Sequence, residues 1–172
     1  MAATPDMLFA QLDALSIAHA THRHPAVFTV TEAAALRGAL PGGHCKCLFL
    51  ADRKGGLWLV VVLEDRRLDL KGLSERLCAP RFSFAAPERM RAVLGVEPGS
   101  VTPFALINPS AAEVTVVLDE VMLRHDPLNY HPLDNSATTA IAPADLLHFM
   151  AACGHRPRIV ALDDLDRAGA PG

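Results

Sequence analysis

The chain has 172 residues, 51% of them hydrophobic and 20% charged. That composition suits one domain with a substantial core and excludes a disordered chain. A net charge of −3 argues against a strongly basic nucleic-acid binder, and no apolar run is long enough to span a bilayer.

The first residues lack the basic and apolar regions of a secretory signal. Instead Thr4-Pro5-Asp6 has the chemistry of a helix start, an N-cap followed by a proline and an acid. Leu8, Phe9, Leu12 and Leu15 then recur at helical spacing. Residues 20–30 read as extended chain broken by Pro25. Thr31 caps a short helix through Leu36, which Gly38 ends. Residues 45–51 and 57–63 form two strands around an Asp-Arg-Lys-Gly-Gly turn, a hairpin at the centre of the sheet. Asp69 caps a helix through Leu77, residues 82–85 form a short strand, and Pro87 opens a helix through Leu94.

Residues 97–103 have loop chemistry. Residues 114–118 and 121–123 read as strands around a turn at Asp119-Glu120. A loop at 131–136 precedes a strand at 138–142. Pro143 opens a helix through Ala152 that Gly154 stops, and 158–162 is a last strand. This irregular alternation predicts a mixed α/β fold, with a central mixed, barrel-like sheet flanked by helices. Residues 1–165 are expected to form one domain and residues 166–172 a flexible tail.

Lys46 lies within an apolar strand, on the face of Leu48 and Leu50 and opposite Cys45 and Cys47. A desolvated lysine there could hold a phosphate or an anionic transition state. The alternative is an edge lysine that snorkels to water. Gly99-Ser100-Val101-Thr102-Pro103 could bring backbone amides up to an anion or a carbonyl, or be an ordinary turn. His131-Pro132-Leu133-Asp134-Asn135-Ser136-Ala137-Thr138-Thr139 gathers a titratable ring, an amide and hydroxyls. Those groups suit an ester, an amino group or a ribose, and equally a loop that satisfies its own backbone.

Arg66, Arg67, Lys71, Arg76, Arg81, Arg89 and Arg91 outnumber the acids around them. They form either a solvated helical surface or a weak, salt-sensitive patch for phosphates. His19, His22, His24 and His44 match no zinc spacing, the cysteines form no C-x-x-C pair, and serine-hydrolase and P-loop motifs are absent. No metal or other cofactor is expected. Cys45 or Cys47 beside His44 leaves a thiol nucleophile open.

In order, the strand with Lys46, Gly99-Ser-Val-Thr-Pro103-Phe104-Ala105-Leu106, Asn108, His131-Pro132-Leu133-x-Asn135-x-x-Thr138-Thr139-x-Ile141, Asp145-Leu146-x-x-Phe149 and Gly154-His155-x-Pro157 form a series. The series resembles the YbaK and prolyl-tRNA-synthetase-associated editing family over roughly residues 5–163. The nearest branch is the free-standing deacylases that clear alanine from proline tRNA. The resemblance implies metal-free hydrolysis of an aminoacyl-tRNA ester. It also implies an essential Lys46, an ester-positioning loop from Gly99 to Pro103, and His131 in the amino-acid pocket. Other branches carry a hydroxyl residue straight after the lysine, whereas this chain has Cys47.

On this reading Lys46, Gly99 and Ser100 are catalytic. Phe28, Val30, Ile107, Asn108, His131, Asn135 and Thr138 bind substrate, and Arg66, Arg67, Lys71 and Arg81 contact tRNA. The expected partners are tRNA(Pro) carrying a mischarged amino acid and prolyl-tRNA synthetase, met by a monomer in the cytoplasm. A deacylase for cysteine or serine, and a non-catalytic binding module for the aminoacyl end, are the rival readings.

Overall fold

The computed structural model describes residues 1–25, 35, 40–162 and 165. Helix α1 (Pro5–Ala14) starts where the capping signal places it, with the Thr4 side chain accepting a hydrogen bond from the Met7 amide. It leads into β1 (His19–Arg23), and β2 (Gly43–Asp52) and β3 (Leu57–Leu63) follow as the central hairpin. Helix α2 (Leu70–Arg76) carries the expected cap, the Asp69 carboxylate accepting from the Gly72 amide. Next come β4 (Phe82–Phe84) and a short helix α3 (Pro87–Arg89), which a π-helical turn continues over Met90–Leu94. Two 3₁₀ turns, Pro103–Ile107 and Pro109–Ala111, precede β5 (Thr115–Asp119). The chain then forms β6 (Leu128–Tyr130), β7 (Ala137–Ile141), α4 (Pro143–Ala152) and β8 (Arg158–Val160).

The strands form one mixed sheet in the order β1-β7-β6-β2-β3-β5-β8, with β4 paired to β2 beyond that path. The fold is the expected mixed α/β sheet flanked by helices. Its path runs from an edge at β1 to an edge at β8. Two sequence expectations need correction. Residues 121–123 form no strand, since a 3₁₀ turn occupies Met122–Arg124. The cause is topological: β5 already has parallel neighbours on both sides, β3 and β8, so no hairpin partner fits beside it. Conversely β6 was not expected, because three residues are too few to show a period. The short helix expected at 31–36, apart from residue 35, and the tail beyond 165 lie outside the described residues.

Strand alternation divides the apolar residues between two clusters, one on each face of the sheet. The larger packs Phe49, Leu59, Val61, Val116 and Leu118 against α1, α4 and the first 3₁₀ turn. The smaller packs Leu50, Val60, Val62 and Val117 against α2. The centre of the larger is Phe104, fully buried and edge-on to Tyr130 at 5.9 Å and to Phe149 at 5.6 Å. Replacing Phe104 by Ala leaves a cavity between those rings and should cost about 3–5 kcal/mol in urea unfolding.

Candidate active site

Lys46 stands across from Val62 in β3, and Leu48 and Leu50 share its side of β2. The lysine is half-buried at the margin of the smaller cluster, just where β3 ends. Its ammonium donates to the carbonyl oxygen of Arg66, in the turn that follows β3. The turn is itself closed by the Arg66 amide donating to the Leu63 carbonyl at 3.1 Å.

The register decides what Lys46 faces. β2 and β6 run parallel, Gly43 beside Leu128 and His44 beside Asn129. The approach is close. At Gly42, with φ +98°, an added Cβ would come within 2.2 Å of the Pro127 carbonyl oxygen, so only glycine fits. Leu128 and Tyr130 point into the larger cluster, so Asn129 and His131 point to the other face. His44 shares that face with Asn129, and Lys46, two residues on, shares it too. The Asn129 amide donates to the carbonyls of Pro41 at 3.0 Å and Gly43 at 3.2 Å, which ties down the entry to β2.

His131 hydrogen-bonds the Ala137 carbonyl at 2.9 Å through Nδ1, which must therefore carry the proton. In the neutral ring Nε2 then keeps its lone pair. Burial holds the His131 pKa below the ordinary histidine value, and His24 adds to the effect, while the Ala137 carbonyl and Asp134 oppose it. The ring lies 6.3 Å from that of His24. His24 Nδ1 donates to the Pro25 carbonyl at 2.8 Å, and its Nε2 hydrogen-bonds the buried Thr138 hydroxyl, also at 2.8 Å. Lys46, His131, Thr138 and His24 thus occupy one face of β2, β6, β7 and β1. In the sequence His24 stands only as a candidate metal ligand, and it matches no zinc spacing. Its signal was its place one residue past the alternating end of β1.

The Gly99 loop meets Asn135 where β6 runs out. Gly99 has φ +94°, and a Cβ there would lie 3.7 Å from the Asn135 amide nitrogen. A cleft of about 480 Å³ opens beside it, lined by Arg91, Glu97, Ser100 and Asn135 among others. Ser100 is buried and its amide donates to the Glu97 carbonyl at 3.0 Å. That amide closes the turn and is thereby committed within the loop. Thr102 is fully buried and caps the following turn through Phe104.

Other expected site residues are placed differently. Asn108 is buried and hydrogen-bonded within the fold. Its oxygen accepts from the Ala3 amide at 2.7 Å, and its nitrogen donates to the carbonyls of Leu94 at 2.9 Å and Ala105 at 3.2 Å. It ties together three segments, and both of its N–H donors are already committed. Ile107 packs against the larger cluster, away from the Lys46 face. Phe28 and Val30 lie outside the described residues.

Arg66 is no surface contact. It is 8% exposed, and its Nε donates to the fully buried Asp119 at 3.0 Å. The reason is the isolated carboxylate at the end of β5, which needs a cation. Arg67, Lys71 and Arg81 are exposed. Cys45 and Cys47 face the larger cluster. Burial pushes the Cys45 thiol up to about 12 and Cys47 well above its ordinary value, so neither is a thiolate at neutral pH. That removes the basis for a thiol nucleophile. Among the described residues no cluster of three or more His, Cys, Asp or Glu side chains is placed to hold a metal ion.

The His131 arrangement makes a prediction. Nε2 is an acceptor only while the ring is neutral, and its pKa is lowered. Activity that needs this lone pair should therefore hold as pH falls to about 6.5 and be lost only below it. A kcat/KM profile whose acid limb lies at or above that point would contradict the role.

Residues 24–149 match the family model described as the aminoacyl-tRNA editing domain. A zebrafish (Danio rerio) relative named prolyl-tRNA synthetase associated domain-containing protein 1 is 41% identical, over 88% of this chain and 84% of its own. The prolyl-tRNA editing protein ProX of Acetoanaerobium sticklandii is 33% identical, over 90% of this chain and 95% of its own. A solved structure described as a candidate trans-editing enzyme for prolyl tRNA synthetase superposes with a TM-score of 0.69 at 24% identity. It covers 94% of this chain and 98% of its own.

Proposed function

The chain belongs to the aminoacyl-tRNA editing domain family, and on that footing we propose that it is a trans-editing hydrolase that deacylates alanine mischarged onto proline tRNA. The observation that carries the reading is Lys46, half-buried, its ammonium held by the Arg66 carbonyl, on the face it shares with a neutral His131. The prolyl-tRNA names of the relatives support proline tRNA as the partner.

An aminoacyl ester is already activated, so positioning and charge stabilisation suffice without a covalent nucleophile. Water adds to the ester carbonyl, and the amides of Gly99 and Val101 take the developing oxyanion. Lys46 supplies positive charge at the ribose side of the ester. The carbon–oxygen bond to the ribose then breaks, the ribose oxygen takes up the proton given up by the added water and leaves as the hydroxyl, and alanine and free tRNA result. His131 Nε2 accepts a hydrogen bond from the substrate α-ammonium group.

Selection of alanine over proline is a matter of a second, smaller pocket. The synthetase cannot exclude alanine by size, whereas a pocket that admits alanine and rejects the pyrrolidine ring corrects the error. Such an enzyme meets mischarged tRNA(Pro) free or beside prolyl-tRNA synthetase. Its four free thiols suit the reducing cytoplasm.

Replacing Lys46 by Ala should lower turnover of alanyl-tRNA(Pro) by about 10²–10³-fold with an unchanged melting temperature. Near-normal alanine release would overturn the assignment. Absence of turnover by the wild type on alanyl-, cysteinyl- and seryl-tRNA(Pro) would leave a binding module instead.

Exposed Arg67 and Lys71 are the proposed tRNA contacts on the α2 side of the sheet, with Arg81 beyond them. Reversing Arg67 and Lys71 to Glu should raise KM with little change in kcat. The dependence of log KM on log salt should shallow by about one unit per lost phosphate contact. An unchanged KM would reject the patch.

A further inference from the structure

Lys46 could reach its working position by strand placement alone, yet its ammonium is also held by a carbonyl, that of Arg66. That carbonyl sits in a turn outside the sheet ladder, closed by the Arg66 amide on the Leu63 carbonyl. The Arg66 side chain adds a hold from the neighbouring strand. It crosses from the turn after β3 to the end of β5 and donates through Nε to Asp119 at 3.0 Å. Asp119 is itself held from two further directions, its other oxygen meeting the amides of Val121 and Leu162, each at 3.4 Å. The side chains of the pair are 9% and 0% exposed.

A buried ion pair is a poor way to gain stability, because desolvation offsets most of the attraction and apolar residues of like volume often serve as well. Its geometric effect is different. A planar guanidinium fixed at a carboxylate fixes the backbone that bears it. We propose that the Arg66–Asp119 pair is a positioning device for Lys46, locating the carbonyl that aims the ammonium at the substrate. The proposal rests on the deacylase reading for its catalytic consequence, but its structural core does not.

The test uses the full chain with Arg66→Met and Asp119→Leu combined, which removes both charges of the pair. Lys46 accessibility is read by acetic anhydride labelling and mass spectrometry, with exposed Lys54 and Lys71, the only other lysines, as internal references. Labelling of Lys46 relative to Lys71 should rise at least about fivefold as the tether is released. For alanyl-tRNA(Pro), kcat should fall by about 10–100-fold, with KM within about twofold of wild type.

If the double variant does not fold, Arg66→Lys serves. It keeps a positive charge beside Asp119 but loses the Nε geometry, and the same two changes are expected. Leu73→Ala, in the cluster under α2, controls for destabilisation: it should lower the melting temperature and leave Lys46 labelling and kcat unchanged. Unchanged Lys46 labelling in the folded variant overturns the proposal, whatever the turnover. A loss of kcat equalled by the Leu73 control also overturns it. Should the wild type show no deacylation, the functional reading fails while labelling still decides the tether.

Discussion

At the end of β5 the Asp119 carboxylate is sealed from water, and a charge in that position demands a counter-charge. Arg66 supplies it from the turn after β3, so the ends of two adjacent parallel strands are locked at one height. The same residue presents its carbonyl to Lys46 on the next strand over. Three neighbouring elements are therefore registered through one arginine: β5 by its side chain, β3 by its position in the chain, and β2 by its main-chain oxygen. The face carrying Lys46 is ordered from behind, by groups that never need to meet a ligand.

The sheet keeps this separate from ordinary packing. The larger cluster occupies the face opposite Lys46, where Phe104, Tyr130 and Phe149 interlock. Lys46 and His131 project from the other face, beyond the edge of the smaller cluster. Alternation makes the division cheap, because one strand serves both purposes. In β2, Phe49 goes to the core, Leu48 and Leu50 go under α2, and Lys46 takes the last position before the apolar face ends. The thiols fall on the core side for the same reason, and burial there silences them.

This explains which parts were legible in the sequence. The β2–β3 hairpin, the Asp69 cap and the proline-opened α4 each rest on local chemistry, and local chemistry is written in consecutive residues. The side of β2 that Lys46 takes followed from a period of two. Arg66 read as part of a basic surface because seven cations in one stretch look alike until a buried carboxylate 53 positions away claims one of them. Asn108 read as a ligand group because an amide is equally suited to binding and to stapling, and only its three partners in the fold decide. Strand β6 was hidden by its three-residue length, and its parallel register with β2 is what brings His131 level with Lys46.

Under the proposed reading the face also has a direction. An aminoacyl ester carries an ammonium group a few bonds from its carbonyl and a phosphate chain on the far side. The strands offer a matching polarity: a cation on β2 and an uncharged ring with a free lone pair at the end of β6. Swapping the two ends would set ammonium against ammonium at Lys46 and leave the His131 acceptor opposite an ester oxygen, which donates nothing. Only one orientation satisfies both groups. That constraint depends on His131 staying neutral, since a protonated ring would repel the amino group it is meant to receive. Burial secures neutrality, and the Ala137 carbonyl fixes which nitrogen keeps the proton. The desolvation that lowers the histidine pKa is thus also what lets the face tell one end of its substrate from the other.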